Sequence, residues 1–406
     1  MKTKKISVIG LGYIGLPTAA LLACNGYHVV GMDLNEDVVE AINQGRNHFI
    51  EPDLDAFVRS AVTSGCLEAY TELQAGDVYI ICVPTPLRED EEIPHPNIDH
   101  VLAATLNIAP QVKPGDLVIL ESTSPVGTTD KIQAVLRDLG VNVDGIHIAY
   151  CPERVLPGKI MNELVENDRI IGGITPAATK AVADFYKGFV RGDVLETDAR
   201  TAELCKLTEN SFRDVNIAFA NEISLICDKE GINVWDLIQL ANHHPRVNIL
   251  QPGVGVGGHC IAVDPWFIIT RDESNSRLMR ASREVNKNKT KWVIEKIKLA
   301  AADFNARTGK KPKITCLGLA FKPDVDDLRE SSAIEVARAL MEQGYDVVAV
   351  EPNIEAHAFF SIVPLVSAFD EIDVIAVLVK HREFSLPEVR MRLIDLGALD
   401  FCGALV

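Results

Sequence analysis

Lys4-Lys5-Ile6-Ser7-Val8-Ile9-Gly10-Leu11-Gly12-Tyr13-Ile14-Gly15 decides the fold. An apolar run feeds a G-x-G-x-x-G turn, and a helical pattern follows over residues 16–23. The first glycine permits a tight turn, Gly12 lets a pyrophosphate approach the backbone, and Gly15 lets helix pack on strand, so the helix N-terminus faces the phosphates. The fingerprint is weak by itself. Its context is a second strand, His28-Val-Val-Gly-Met32, that ends in Asp33, 18 residues after Gly15. A carboxylate there accepts from both ribose hydroxyls and repels a 2′-phosphate, so NAD is expected over NADP. Tyr13 and Ile14 lie within the same predicted cofactor turn.

Beyond it, short β-branched runs at residues 77–83, 116–121, 146–150 and 169–173 alternate with helical ones. This alternation predicts an α/β fold with a doubly wound parallel sheet. Two strand ends carry polar loops, Val83-Pro-Thr85-Pro86 and Glu121-Ser-Thr123-Ser-Pro-Val126-Gly-Thr128. Ligands of open α/β sheets sit at the carboxyl ends of strands, which makes Thr85, Thr123 and Val126 candidate cofactor contacts. The same residues also suit ordinary turn chemistry.

After Thr197-Asp198 the pattern becomes one long helix that reaches residue 227 and stops at Gly231. On it Lys206, Asn210 and Arg213 fall at i, i+4 and i+7, within about 60° of one another. A lysine, an amide and a guanidinium can thus point together into a site. A second helical region covers residues 278–301, and Lys310-Lys-Pro-Lys313 punctuates the chain. A second α/β rhythm follows, with strands at residues 314–321, 346–350 and 373–379, and without the glycine fingerprint. It predicts a second Rossmann-like domain for another nucleotide. The expected organisation is a Rossmann domain over residues 1–195, a central helical domain over 196–308 and a C-terminal Rossmann-like domain over 309–406.

Gly253-Val-Gly255-Val-Gly257-Gly258-His259-Cys260 puts a cysteine at the end of a loop with four glycines in six residues. A structural thiol belongs in a periodic apolar segment, whereas such glycines admit a ligand and leave sulfur accessible. Cys260 therefore reads as a nucleophile.

At 406 residues and 47% hydrophobic content the chain can bury two or three cores. Forty basic against 57 acidic residues, net −17, argue against nucleic acid or an anionic membrane as a general partner. An anionic substrate needs a local basic pocket. The nine cysteines show no C-x-x-C pair and the ten histidines no ligand spacing, so neither a metal site nor a disulfide framework is indicated. No apolar stretch reaches the ~18 residues of a membrane span, and a soluble, cytoplasmic protein is expected.

Gly10-Leu-Gly-Tyr-Ile-Gly15, Val83-Pro-Thr-Pro86, Ser122-Thr-Ser-Pro-Val-Gly127, Cys151-Pro-Glu153-Arg154, Lys206-Leu-Thr-Glu-Asn210-Ser-Phe212, Gly257-Gly-His-Cys260 with Asp264, and Phe321-Lys322-Pro through Arg329-Glu-Ser331 occur in this order. Together they resemble the UDP-glucose/GDP-mannose dehydrogenase family across nearly the whole chain. His259, Asp264-Pro-Trp266 and Arg246-Val-Asn-Ile-Leu-Gln-Pro-Gly253 look like its branch acting on UDP-N-acetylhexosamines, with UDP-N-acetyl-D-mannosamine favoured over UDP-N-acetylglucosamine and UDP-glucose. The resemblance implies a four-electron oxidation of a primary alcohol to a carboxylate with two NAD in turn. It assigns Cys260 as nucleophile, Lys206 as acid/base or oxyanion group, and Asn210 as a donor to the same oxygen. Asp264 would hold a water or orient Lys206, and Glu153 would be the base for thioester hydrolysis. The substrate pocket it implies comprises Arg154, Val155, Lys206, Asn210, Arg213, His244, Arg246, Gly257, Phe321 and Lys322, with Arg329 on the cofactor. It also implies a homodimer built on the long helices, with Arg246 reaching the neighbouring site. One departure is Leu399-Asp-Phe401-Cys402-Gly403, where relatives usually carry a basic residue. The rival readings are a two-electron NAD dehydrogenase, with Cys260 a spectator, and a non-catalytic nucleotide sensor, which would not combine Cys260, Lys206 and Asn210.

Overall fold

A computed structural model describes residues 4–88, 93–369 and 373–406. The chain divides into two compact units, one of residues up to Thr208 plus Trp266–Arg271, the other of Glu209–Pro265 and Asp272–Val406. The first is built on β1 (Lys5–Ile9), β2 (His28–Met32), β3 (Leu67–Tyr70), β4 (Val78–Ile81), the hairpin β5 (Leu87–Arg88) and β6 (His95–Pro96), β7 (Leu117–Leu120), β8 (His147–Tyr150), β9 (Arg169–Gly173) and β10 (Val194–Asp198). Apart from the separate hairpin they form one sheet of order β3-β2-β1-β4-β7-β8-β9-β10. Its first six strands have the dinucleotide-binding order, which reverses direction between β1 and β4. Both faces are covered, as a parallel sheet requires: Ile6, Val8 and Ile80 enter one apolar cluster and Ile9, Tyr79 and Ile81 the other.

One pair departs from the expected parallel sheet. β9 runs antiparallel to β8, with Tyr150 opposite Gly172. The intervening helix Ile160–Glu166 packs beside Gly15–Cys24, so the chain re-enters the sheet from its carboxyl edge and needs no crossover. As a consequence residues 151–168 stay at the edge where ligands bind.

The second unit holds most of the 32-residue helix Ala199–Glu230, a second 32-residue helix, Arg277–Thr308, and a parallel sheet. The sheet comprises β11 (Lys313–Leu317), β12 (Asp346–Val350), β13 (Ser361–Ile362), β14 (Val374–Val377) and β15 (Leu399–Asp400), in the order β13-β12-β11-β14-β15. It repeats the first unit's opening device. Gly318 takes φ +93 at the end of β11 as Gly10 takes +89 at the end of β1, and each donates its N–H to the last residue of the next strand, Val350 or Met32. A Cβ at Gly318 would lie 2.5 Å from Val379 Cβ, so glycine is required. Glu351, at the end of β12, stands where Asp33 stands in the first unit. Its carboxylate accepts from Leu319 N at 2.7 Å, Ala320 N at 2.9 Å and His381 Nε2 at 3.0 Å, fully enclosed.

Burial pushes the Glu351 carboxyl up, but the hydrogen bonds from His381 and the two amides outweigh it and hold the group at about 2. A carboxyl depressed on folding stabilises above its unfolded pKa and loses that contribution as pH falls from about 4.5 toward 2. Glu351→Gln is expected to cost about 2–3 kcal/mol at pH 7 and to flatten the acid limb of stability as pH falls from about 4.5 toward 2. Denaturant titrations across that range check it; an acid limb as steep as the wild type's would exclude the role.

His381 Nδ1 accepts the Asp324 N–H at 2.9 Å and Nε2 faces Glu351. Although Asp324, His381 and Glu383 cluster within 4.8 Å, the imidazole thus offers a metal no free lone pair. The atypical C-terminal segment is core. Phe401 packs edge-on against Trp292 at 5.9 Å, and Asp400 gathers the N–H groups of Cys402, Gly403, Ala404 and Leu405. Among the described residues no helix is long and apolar enough to cross a membrane.

Candidate active site

At the cofactor end the three glycines differ in what a side chain would meet. A Cβ on Gly10 would lie 2.7 Å from Cys82 O, and one on Gly15 only 1.8 Å from Gly10 O, so both are needed for the turn and the close helix. A Cβ on Gly12 would meet nothing within 4 Å, which leaves the open approach a pyrophosphate requires. Helix Gly15–Cys24 begins after Ile14 with no side-chain cap, so its N-terminal dipole is offered to an anion. Tyr13 stacks on Phe49 at 4.3 Å. Asp33 accepts from Leu11 N at 2.9 Å and Asn35 N at 3.0 Å, and unlike Glu351 it is only half-buried. The residues present therefore fit a dinucleotide.

Wild-type protein is expected to prefer NAD to NADP, and Asp33→Ala to narrow the gap chiefly by weakening NAD. Loss of a charged hydrogen bond of about 1.5–3 kcal/mol corresponds to roughly 10–100-fold in kcat/KM. Comparable wild-type kcat/KM for the two cofactors would refute it.

The two strand-end loops are tied together: Thr85 Oγ1 donates to Thr123 O at 2.6 Å, and Ser122 Oγ to Val83 O at 2.7 Å. Thr85 thus serves the turn whether or not it meets a cofactor. Val126 precedes Gly127, whose N–H, with the N–H and hydroxyl of Thr129, is held by buried Glu203 at 2.6–2.8 Å. Desolvation raises the Glu203 carboxyl, and its three donors resist that.

Lys206 lies one turn beyond Glu203 and is 6% exposed. Its Nζ stands 3.5 Å from Glu153 Oε1, while Glu153 Oε2 accepts the Val155 N–H at 2.8 Å. Glu153 therefore caps its own loop and meets the lysine. Arg154 Nη1 lies 3.3 Å from Asp168 O.

In the second unit Asn210, also buried, donates from Nδ2 to Asp264 Oδ2 at 2.6 Å. Asp264 N and Val263 N bond to Cys260 O at 2.8 and 3.1 Å, a turn that ties the half-buried cysteine to Asp264. Glycine is required before it, since a Cβ on Gly257 would lie 2.4 Å from Glu330 O and one on Gly258 2.8 Å from the Phe321 ring. The cysteine loop thus lies against the segment from Phe321 to Glu330. There Asp327 takes a two-pronged contact from Arg329 and lies 3.9 Å from His259 Nδ1, and Lys322 Nζ is 5.7 Å from the Phe321 ring centre.

Arg213 shares the angular face of Lys206 and Asn210 but is exposed, because cover along a long helix changes from turn to turn. His244 and Arg246 are exposed too, in a loop closed by Asn242, whose amide accepts Ile249 N and donates to Ile249 O. Asn242, Glu203, Asp327 and the buried run Arg283–Asp214–Asn286–Asn221–Gly253 N were not singled out from sequence. A signal was available for Glu203 alone, one helical turn from Lys206.

The NAD binding, central and UDP binding domains of the UDP-glucose/GDP-mannose dehydrogenase family match residues 4–190, 200–288 and 315–394. The chain belongs to this family. As a family member it is an NAD-dependent dehydrogenase with a UDP binding domain. It is 52% identical over 402 residues, 95% of each chain, to UDP-N-acetyl-D-mannosamine dehydrogenase of Yersinia pestis. It is also 52% identical over 396 residues, 94% of this chain and 92% of the relative, to NDP-N-acetyl-D-galactosaminuronic acid dehydrogenase of Ralstonia solanacearum. Among solved structures the UDP-D-ManNAc dehydrogenase of Pyrococcus horikoshii superimposes with a TM-score of 0.88 at 35% identity, covering 99% of this chain and 96% of that one.

Proposed function

We propose that this family member oxidises C6 of UDP-N-acetyl-D-mannosamine to the carboxylate through a thioester on Cys260. One observation supports it most: Glu153 meets Lys206, one helical turn before Asn210, which meets Asp264 in the turn of Cys260. Base, cation, amide and thiol are the groups the chemistry needs. NAD, when bound, supplies the hydride acceptor. Lys206 takes the alcohol proton and, with Asn210, stabilises the oxyanion in each oxidation. Asp264 orients the Asn210 amide. Cys260 adds to the aldehyde carbon, and the thiohemiacetal becomes a thioester at the second hydride loss. Glu153 then accepts a proton from the water that attacks the acyl carbon, the C–S bond breaks, and the thiolate returns.

Arg154, Val155, Arg213, His244, Arg246, Gly257, Phe321 and Lys322 form the UDP-sugar contacts in this reading, since guanidinium groups bind a diphosphate bidentately. Arg329 belongs to the cofactor in this reading, and the three-domain division is part of the same proposal. Equal identity to the galactosaminuronate relative supports a second reading, in which the sugar is the galacto epimer. Purified protein given the UDP-linked N-acetyl manno, gluco and galacto sugars and UDP-glucose side by side decides between them. Two NADH per UDP-N-acetylmannosamine, at the highest kcat/KM, is the expected result. One NADH per sugar would return the reading to a two-electron dehydrogenase.

A homodimer completes the proposal. Phe212, Phe219 and Ile226, spaced by seven on the long helix, are 67%, 49% and 52% exposed, an apolar stripe suited to a second copy. Phe219→Asp is expected to halve the mass measured by light scattering; a wild-type monomer would exclude the dimer.

A further inference from the structure

At the carboxyl edge of the first sheet lies a buried ion pair that the chemistry above does not use. Glu121 directly follows β7 and Arg169 opens β9, the antiparallel strand, and they are 1% and 2% exposed. Arg169 Nη1 lies 3.4 Å from Glu121 Oε1 and 3.4 Å from the carbonyl of Pro152, while Nη2 lies 3.4 Å from Leu164 O on helix Ile160–Glu166. The other carboxylate oxygen receives Thr18 Oγ1 at 3.3 Å and Cys82 Sγ at 3.2 Å. One guanidinium thus joins the residue before Glu153 to the helix that follows its loop, and its counter-ion is tied to the helix of the dinucleotide fingerprint. Such a pair adds little stability over apolar residues of the same volume, so its presence asks for another reason.

We infer that the Glu121–Arg169 pair is a positioning device that holds Pro152 and therefore sets Glu153 against Lys206 for thioester hydrolysis. The inference rests on the reading of Glu153 as the hydrolytic base. Pro152 is the residue before Glu153, and the Val155 N–H accepted by Glu153 closes the same short loop. Only arginine's planar fork serves two acceptors on one nitrogen and a third on the other; an ammonium is a single point. Without the fork the Pro152 carbonyl loses its guanidinium donor, and a displacement of about 1 Å can cost on the order of a hundredfold in a positioned step. The step affected is specific: water's oxygen bonds to the acyl carbon, its proton goes to Glu153, and sulfur leaves.

The test compares Glu153→Gln, Arg169→Lys and the charge-neutral double variant Glu121→Gln/Arg169→Met, the last chosen because it strands no buried charge. Each is given NAD and the UDP-sugar, with intact-protein mass and NADH followed in time. The double variant is expected to bind NAD within about threefold of wild type, to release a rapid burst of NADH, and then to stall with a covalent sugar on Cys260. Steady turnover should fall about tenfold or more with little change in KM. Hydroxylamine, which cleaves a thioester without a protein base, should restore NADH formation in the double variant and in Glu153→Gln alike, and Arg169→Lys should hold an intermediate amount of adduct. A general structural defect would show no hydroxylamine rescue and would overturn the inference. So would a double variant that turns over without adduct while Glu153→Gln stalls. If Glu153→Gln itself hydrolyses normally, the base assignment fails and the inference falls with it.

Discussion

In Cys260→Ala, formation of the uronic acid is expected to fall to background, while NADH appears very slowly and at most once per sugar. The reason lies in the second oxidation. An aldehyde carbon must first become tetrahedral, with an oxyanion whose electrons can re-form the carbonyl as the hydride departs, and addition of the thiolate provides that carbon. The turn at Cys260, closed by the N–H groups of Val263 and Asp264, and the glycines at 257 and 258 set the thiol on its loop. Alanine keeps that backbone and removes only the nucleophile. Cys260→Ser should instead form an ester-like adduct that hydrolyses poorly, stalling turnover with sugar held on the protein. The measurement is NADH formed per UDP-sugar consumed, with mass spectrometry of the protein beside it. A Cys260→Ala variant that still made uronic acid at near wild-type rate would sink the thioester scheme.

Lys206→Ala is expected to slow both hydride steps, because alkoxide-like charge develops on the same oxygen in each. Removal of one such stabiliser typically costs on the order of a hundredfold or more in kcat. The loss should be steeper here than at an exposed lysine, since Lys206 is buried and its 3.5 Å contact with Glu153 disappears with it. Lys206→Ala should also show no burst of NADH and little covalent sugar, as the first oxidation is already slow. Glu153→Gln should show the opposite, a burst followed by a stall. Pre-steady-state NADH traces separate the two, and a burst of wild-type amplitude in Lys206→Ala would remove the lysine from the first oxidation.

Much of the fold was legible because its signals are local. Gly10, Gly12, Gly15 and Asp33 lie within two strands and a turn, and the hydrogen bond from Leu11 N to Asp33 closes that unit over 22 residues. The family resemblance likewise rests on short motifs whose order survives in a linear reading. Lys206 and Asn210 could be placed on one helix face from their spacing, and both are buried. Arg213, placed on that face by the same spacing, is exposed. Helical period gives direction around the axis, and cover depends on what packs against each turn.

What the sequence by itself determined is the cofactor turn, the two α/β rhythms, the family, and the residue types available for chemistry, because periodicity and turn stereochemistry are properties of neighbours. The tertiary structure alone decided which distant groups meet. Glu153 finds Lys206, Asp264 finds Asn210, Glu121 finds Arg169, and Glu351 finds His381, partners 53, 54, 48 and 30 residues apart. It also decided that β9 runs backward, which keeps residues 151–168 at the ligand edge. Such pairings carry no spacing rule. A buried charge or amide must be satisfied wherever packing leaves it, and packing is settled by the whole core at once.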